Sequence, residues 1–164
     1  MIVIIMGVSG SGKTTIGQRL AEELNWPFYE GDDFHPKANI EKMKNDIPLT
    51  DEDREPWLDA LRSQIAKLLK DEKCGVFTCS ALKKSYRSHL QNGNPGKVKF
   101  VYLHGSYELI LERMKNRTHH FMKEEMLKSQ FEALEEPHHV LVADAAQRPD
   151  EIVRFIESSF HLGK

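Results

Sequence analysis

The run Gly7-Val8-Ser9-Gly10-Ser11-Gly12-Lys13-Thr14 has the residue types and spacing that cradle a phosphate, G-x-x-x-x-G-K-[ST]. Glycines let successive backbone N–H groups turn inward around an anion without Cβ clashes. A helix beginning near Gly12 would aim its free N–H groups and the positive end of its dipole at the same charge. Lys13 would neutralise β/γ-phosphate charge, and the Thr14 hydroxyl is placed to hold Mg²⁺. Gly7, Ser9, Gly10, Ser11, Gly12, Lys13, Thr14 and Thr15 are therefore the expected nucleotide-binding residues. A glycine turn with an idle surface lysine fits less well, because the motif follows an apolar run and opens an amphipathic one. The loop reads as a nucleotide site.

A second group that could do chemistry is Gly31-Asp32-Asp33-Phe34-His35. It falls where an open α/β sheet binds ligands, outside the carboxyl end of a strand. A carboxylate there can accept or orient the proton of an attacking hydroxyl and can hold water on Mg²⁺. Asp32 is the stronger candidate; Asp33 serves equally well as a helix cap or loop residue.

These groups need a scaffold, and the apolar pattern supplies one. Strands are expected at Ile2–Met6, 27–31, 75–79, 97–103 and 139–142, short and rich in β-branched or aromatic residues. Ile16, Leu20 and Leu24 place one apolar stripe on a helix after the first strand. Trp57, Leu58, Leu61, Ile65, Leu68 and Leu69 keep a similar period, behind a capping box of Thr50 and Asp53. Pro56 should break that helix into a short first turn and a longer restart. Further helices are expected over 107–115 and from Pro149 onward. Strand–helix alternation in 164 residues points to one α/β domain, a five-stranded parallel sheet flanked by helices.

Lys plus Arg total 23 against 25 Asp plus Glu, a formal net charge of −2, so the basic excess of a nucleic-acid binder is missing. The first residues lack a basic n-region and are too few to span a bilayer, so no membrane partner is expected. Cys74 and Cys79 have no nearby His at ligand spacing and read as reduced thiols of a cytoplasmic protein. The pairs His119-His120 and His138-His139 invite a metal reading, but adjacent side chains diverge and no third ligand stands at regular spacing. Trp57, Phe121 and Phe131 are better read as packing than as stacking platforms.

Nucleotide binding leaves several classes open. No Asn-Lys-x-Asp stretch supports guanine reading. The strand Val76-Phe77-Thr78-Cys79-Ser80 ends without the Asp of a Walker-B strand, which weakens an ATPase machine. A small-molecule kinase with a sheet, a phosphate loop and a lid is the reading that survives.

Beyond this point the chain resembles the gluconokinase family. The resemblance rests on the phosphate loop, Gly31-Asp32-Asp33-Phe34-His35-Pro36, the stretch from Ile47 to Leu58, and Cys79-Ser80-Ala81-Leu82-Lys83-Lys84-Ser85-Tyr86-Arg87. His120-Phe121-Met122 with Ser129-Gln130-Phe131 and Leu134-Glu135 completes it, from Gly7 to Pro137 in the family's order. Lys123 departs from the pattern, where Pro is expected. The resemblance implies a P-loop fold of the nucleotide/shikimate-kinase type and a lid at about 117–126. It implies ATP-dependent phosphorylation of D-gluconate at its 6-hydroxyl, with Mg²⁺, in a homodimer. It places Asp32, His35, Arg54, Lys83, Arg87 and His120 near the acceptor, with Asp32 orienting or deprotonating the hydroxyl. Arg54, Lys83 and Arg87 become candidates for anion recognition, with no basis for choosing the carboxylate's partner among them. Lys13, Asp32 and Arg117 form the implied catalytic set, with Arg117 as lid contact and Arg113 as second phosphate ligand. Adenine is expected between the lid's start and the loop 143–148, by analogy of fold.

Shikimate kinase is the nearest rival, disfavoured by Cys79-Ser80-Ala81-Leu82-Lys83 where that family has a Gly-rich turn. A nucleoside or nucleotide kinase fits the same blocks less well. From another class, an ATP-binding regulatory module without an acceptor is opposed by Lys13, Thr14, Asp32 and both lid arginines.

Overall fold

The computed structural model describes residues 1–116 and 124–163. Arg117, His119, His120, Phe121, Met122 and Lys123, all in the expected lid, lie outside them. Five parallel strands, β1 (Ile2–Met6), β2 (Phe28–Tyr29), β3 (Gly75–Thr78), β4 (Val98–His104) and β5 (Leu141–Asp144), form one sheet in the order β2-β3-β1-β4-β5. The helices are α1 (Lys13–Leu24), α2 (Lys37–Lys44), α3 (Asp51–Lys70), α4 (Lys84–Gln91), α5 (Tyr107–Lys115), α6 (Glu124–Ala133) and α7 (Pro149–Phe160). A 3₁₀ turn covers Gly31–Phe34. No helix among the described residues is long and apolar enough to cross a membrane.

The central strand β1 is buried along its whole length because it is covered on both faces. Side chains alternate: Ile2, Ile4 and Met6 enter one core with Trp57, Leu61 and Ile65 of α3 and Leu90 of α4. Val3 and Ile5 enter the other, with Ile16 and Leu20 of α1 and Ile152, Val153 and Ile156 of α7. A smaller cluster of Val8, Leu82, Ile110, Met114 and Leu127 sits under α5 and α6. Each fully buried aliphatic side chain contributes about 1.5–3 kcal/mol, so the two large cores hold the frame on which the loops rest.

Three expectations are corrected. The helix across Pro56 is continuous, with Pro56 inside α3. Pro56 lies in the second turn, and Glu52, whose carbonyl loses its donor there, is exposed. The Thr50–Asp53 capping box forms in full and anchors the start. Strand β2 is shorter than 27–31, because Gly31 already belongs to the 3₁₀ turn. Strand β5 lies later than 139–142: His139 has φ 60°, and pairing with β4 begins at Leu141.

Candidate active site

The phosphate loop connects β1 to α1. Gly10 and Gly12 have φ of 83° and 102°, the left-handed region that side-chain-bearing residues rarely adopt. Gly12 is the residue before α1, and a Cβ built on it would meet nothing within 4 Å, so φ and not crowding demands glycine there. Lys13 Nζ donates to the carbonyls of Gly7 at 2.9 Å and Val8 at 3.1 Å, folding over the loop. The Ser11 hydroxyl is buried and has no hydrogen-bond partner among the described residues. An orphaned donor inside such a loop suits an anionic guest, since a buried hydroxyl without a partner is costly. Thr14 and Thr15 lie exposed in the first turn of α1.

Thr14 Oγ1 donates to Glu30 Oε2 at 2.6 Å, and Thr78 Oγ1 donates to Glu30 Oε1 at 2.6 Å. Thr78 occupies the end of β3, where a Walker-B strand would carry Asp; here the carboxylate comes from beside it, at the end of β2. The close fit of the two strand ends depends on Gly31, whose Cβ would lie 2.0 Å from the Thr78 carbonyl oxygen. Gly31 N–H also donates to Thr78 Oγ1 at 3.0 Å. Sequence reasoning missed Glu30. Its signal is a carboxylate at the strand's end, two residues before Asp32.

The acceptor candidates gather around the end of β3. Lys13, Asp32 and Arg54 all act on the Cys79 thiol, which burial pushes up to about 12. Arg54 also acts on His35, whose ring burial lowers to about 4. Four of the expected residues therefore share one neighbourhood: Lys13 from the loop, Asp32 and His35 from the turn after β2, and Arg54 from α3. Asp32 is exposed in that turn, and His35 is buried against Trp57, ring centroids 4.3 Å apart.

Lys83 and Arg54 meet at Tyr86, with Lys83 Nζ and Arg54 Cζ each 5.7 Å from its ring centroid. Asp51 accepts from Lys83 Nζ at 2.9 Å and from the Tyr86 hydroxyl. The Tyr86 hydrogen bond, then the Lys83 one, lowers the Asp51 carboxyl. Arg54 Nη1 donates to the Leu49 carbonyl at 2.8 Å, which holds the guanidinium beside the start of α3. Arg87 is placed differently. It is buried, and Nη1 and Nη2 donate to the carbonyls of Ala81 at 2.7 Å and Glu135 at 2.9 Å. Those contacts shape the loop before α4 from within.

Arg113 Nη1 reaches the Ser11 carbonyl at 3.4 Å and Nη2 the Ala145 carbonyl at 2.5 Å. It thus links the phosphate loop to the turn after β5, the segment expected near adenine. Helix α6 makes a further link. Gln130 Oε1 accepts from Ser9 N–H at 2.8 Å, and Gln130 Nε2 donates to Ser9 Oγ at 3.1 Å. Just beyond that helix, Glu135 accepts from Lys84 N–H at 2.7 Å and donates its own N–H to Leu82 O at 2.8 Å. Helix α6 and the residues just after it thus touch both the phosphate loop and the loop before α4, a role that the block Ser129-Gln130-Phe131 did not announce. Arg117 and His120 lie outside the described residues.

Comparison with known proteins separates the acceptors that this arrangement leaves open. A family model described as shikimate kinase matches residues 9–159. The shikimate kinase structure from Aquifex aeolicus aligns over 98% of this chain and 96% of its own, with TM-score 0.64. At 20% identity that likeness shows the fold alone. The thermosensitive gluconokinase of Escherichia coli K12 is 54% identical over 134 residues, 82% of this chain and 71% of that one. A crystal structure of a gluconokinase from Sinorhizobium meliloti 1021 aligns with TM-score 0.84 and 47% identity, over 93% of this chain and 86% of its own. Within the shared shikimate-kinase fold, the chain belongs to the gluconokinase family.

Proposed function

We propose that the protein transfers the γ-phosphoryl group of ATP to the 6-hydroxyl of D-gluconate, giving 6-phospho-D-gluconate and ADP. The observation that carries this reading is the convergence of Lys13, Asp32, His35 and Arg54 at the end of β3, beside a phosphate loop, in a chain of this family. The 6-hydroxyl oxygen forms the new bond to the γ-phosphorus, the bond to the β–γ bridging oxygen breaks, and ADP leaves. Asp32 takes or orients the hydroxyl proton. The loop N–H groups and Lys13 hold the phosphates, and Arg113 stiffens the loop from behind through the Ser11 carbonyl. Arg54 and Lys83 provide cationic charge for the gluconate carboxylate, and Arg87 holds the shape of the loop that carries Lys83.

The donors fit Mg²⁺: a hydroxyl on Thr14 with the Glu30 carboxylate directly behind it is an oxygen set suited to that hard cation. Bound there, Mg²⁺ supplies positive charge against the β- and γ-phosphate oxygens. Arg117 and His120 belong to the reading as lid residues over the phosphates and the acceptor, in a single kinase domain. A homodimer in the cytoplasm completes it, supported by the family resemblance and by two free thiols.

The decisive assay follows ADP release with ATP, Mg²⁺ and, separately, gluconate, shikimate or a nucleoside monophosphate. Gluconate-dependent release whose product is oxidised by 6-phosphogluconate dehydrogenase is the expected result. Turnover on another acceptor alone would keep the kinase and discard the substrate.

A further inference from the structure

We propose that Asn39 is a positioning residue that fixes the His35 ring in the tautomer carrying its proton on Nε2, which makes His35 a hydrogen-bond donor to the polyol acceptor. Asn39 lies in α2, one turn beyond His35, and is 2% exposed. Its Nδ2 stands 2.8 Å from the backbone carbonyl oxygen of Asp53. A carbonyl oxygen only accepts, so the atom facing it is the amide nitrogen. That same nitrogen is 3.0 Å from His35 Nδ1. An amide nitrogen only donates, so Nδ1 must offer its lone pair, and the single proton of the neutral ring sits on Nε2.

The ring has little freedom to escape this arrangement. It stacks on Trp57 at an interplanar angle of 12°, and Trp57 is itself pinned by donation from Nε1 to the Gly31 carbonyl at 2.8 Å. Turning the ring over would point a carbon at Asn39 and leave a buried amide hydrogen without an acceptor. Burial, aided by the nearby Arg54 charge, keeps the ring neutral. Among the described residues, none forms a hydrogen bond with Nε2.

The chemical consequence is specific. The backbone N–H of His35 donates to the Asp32 carbonyl at 3.2 Å, which fixes the main chain from which the ring projects. Its ring, standing at the end of the turn that carries Asp32, offers a donor to a hydroxyl oxygen. It is neither a base through Nε2 nor a cation for the carboxylate. Proton acceptance is left to Asp32, and charge recognition to Arg54 and Lys83.

The proposal rests on the acceptor being a polyol, as read above, and its first test does not depend on turnover. In the ¹⁵N-labelled full chain, His35 (assigned by its loss in H35Q) should show Nδ1 with the shift of an unprotonated ring nitrogen and Nε2 with that of a protonated one. The reverse pattern, or averaging of the two, overturns the assignment. Gluconate should then shift the His35 Nε2–H resonance, whereas ATP alone should not; an unmoved resonance at saturating gluconate overturns the donor role. In N39D the new carboxylate accepts from Nδ1–H and moves the ring proton. KM for gluconate should rise about tenfold while kcat and KM for ATP stay within about threefold. A folded N39D with the reversed tautomer and an unchanged KM would also overturn the donor role. If N39D does not fold, the two wild-type spectra decide. Absence of any gluconate turnover would defeat the proposed activity while leaving the tautomer result standing.

Discussion

The Thr14 hydroxyl donates a 2.6 Å hydrogen bond to the Glu30 carboxylate, joining the phosphate loop to the end of β2. The other Glu30 oxygen is held by Thr78 at 2.6 Å, so the carboxylate is aimed from two sides. A group that orients a metal's own ligand typically matters by about 10–100-fold in metal affinity or activity. E30Q should therefore raise the Mg²⁺ concentration needed for half-maximal rate by about that factor and change the melting temperature little. A Mg²⁺ titration of initial rate reads it, and an unchanged midpoint would make Glu30 a strand-end brace only.

Arg87 is buried with two nitrogens bonded to the carbonyls of Ala81 and Glu135. R87M should cost roughly 2–4 kcal/mol of folding stability, since two bonds from a charged donor are lost. R87K, which keeps the charge but not the fork, should fall between. Urea unfolding measures both. Full stability in R87M with a raised KM for gluconate would instead make Arg87 a direct carboxylate ligand.

Gln130 pairs with both the N–H and the hydroxyl of Ser9. Q130L removes both contacts, and KM for ATP should rise about tenfold through the loosened loop. Tighter ATP binding in this variant would mean that Gln130 competes with phosphate for the Ser9 N–H.

Asp53 should make stability sensitive to acid. Its bond from Lys42, then the Thr50 N–H, lowers the carboxyl from 3.8 to about 2 in the folded chain. The folded state thus holds this proton more weakly than the unfolded one. The stabilisation is complete above the unfolded value and is lost as pH falls from there through the folded value. The gap in melting temperature between wild type and D53N should be constant near neutral pH and close between about 4 and 2. Salt should shrink it, because the Lys42–Asp53 pair is partly exposed. A gap that does not change with pH would remove Asp53 from the acid response.

Local information is enough for much of this fold. β1 and β3 and the helices α1, α5 and α7 follow from apolar period, caps and Pro149, because each encodes its own burial pattern within a few turns. The phosphate loop is equally legible, since its glycines and Lys13 are adjacent in the chain. Pro56 was misread because the rule for proline ignores Trp57, Leu58 and Leu61, whose burial holds α3 together across the gap.

Tertiary structure alone decided the pairings between distant segments. Glu30 meets Thr14 and Thr78, Gln130 meets Ser9, and Asn39 carries His35 to Asp53; apart from the one-turn step from His35 to Asn39, none of these pairs is one that a helical or strand period would predict. The same holds for Arg87, offered for anion recognition by the family resemblance: that it is buried with two nitrogens on backbone carbonyls is seen only in the folded chain. A residue's type states which bonds it can make. Which partner it finds depends on sheet order and helix docking, and those are set by the packing of the whole chain.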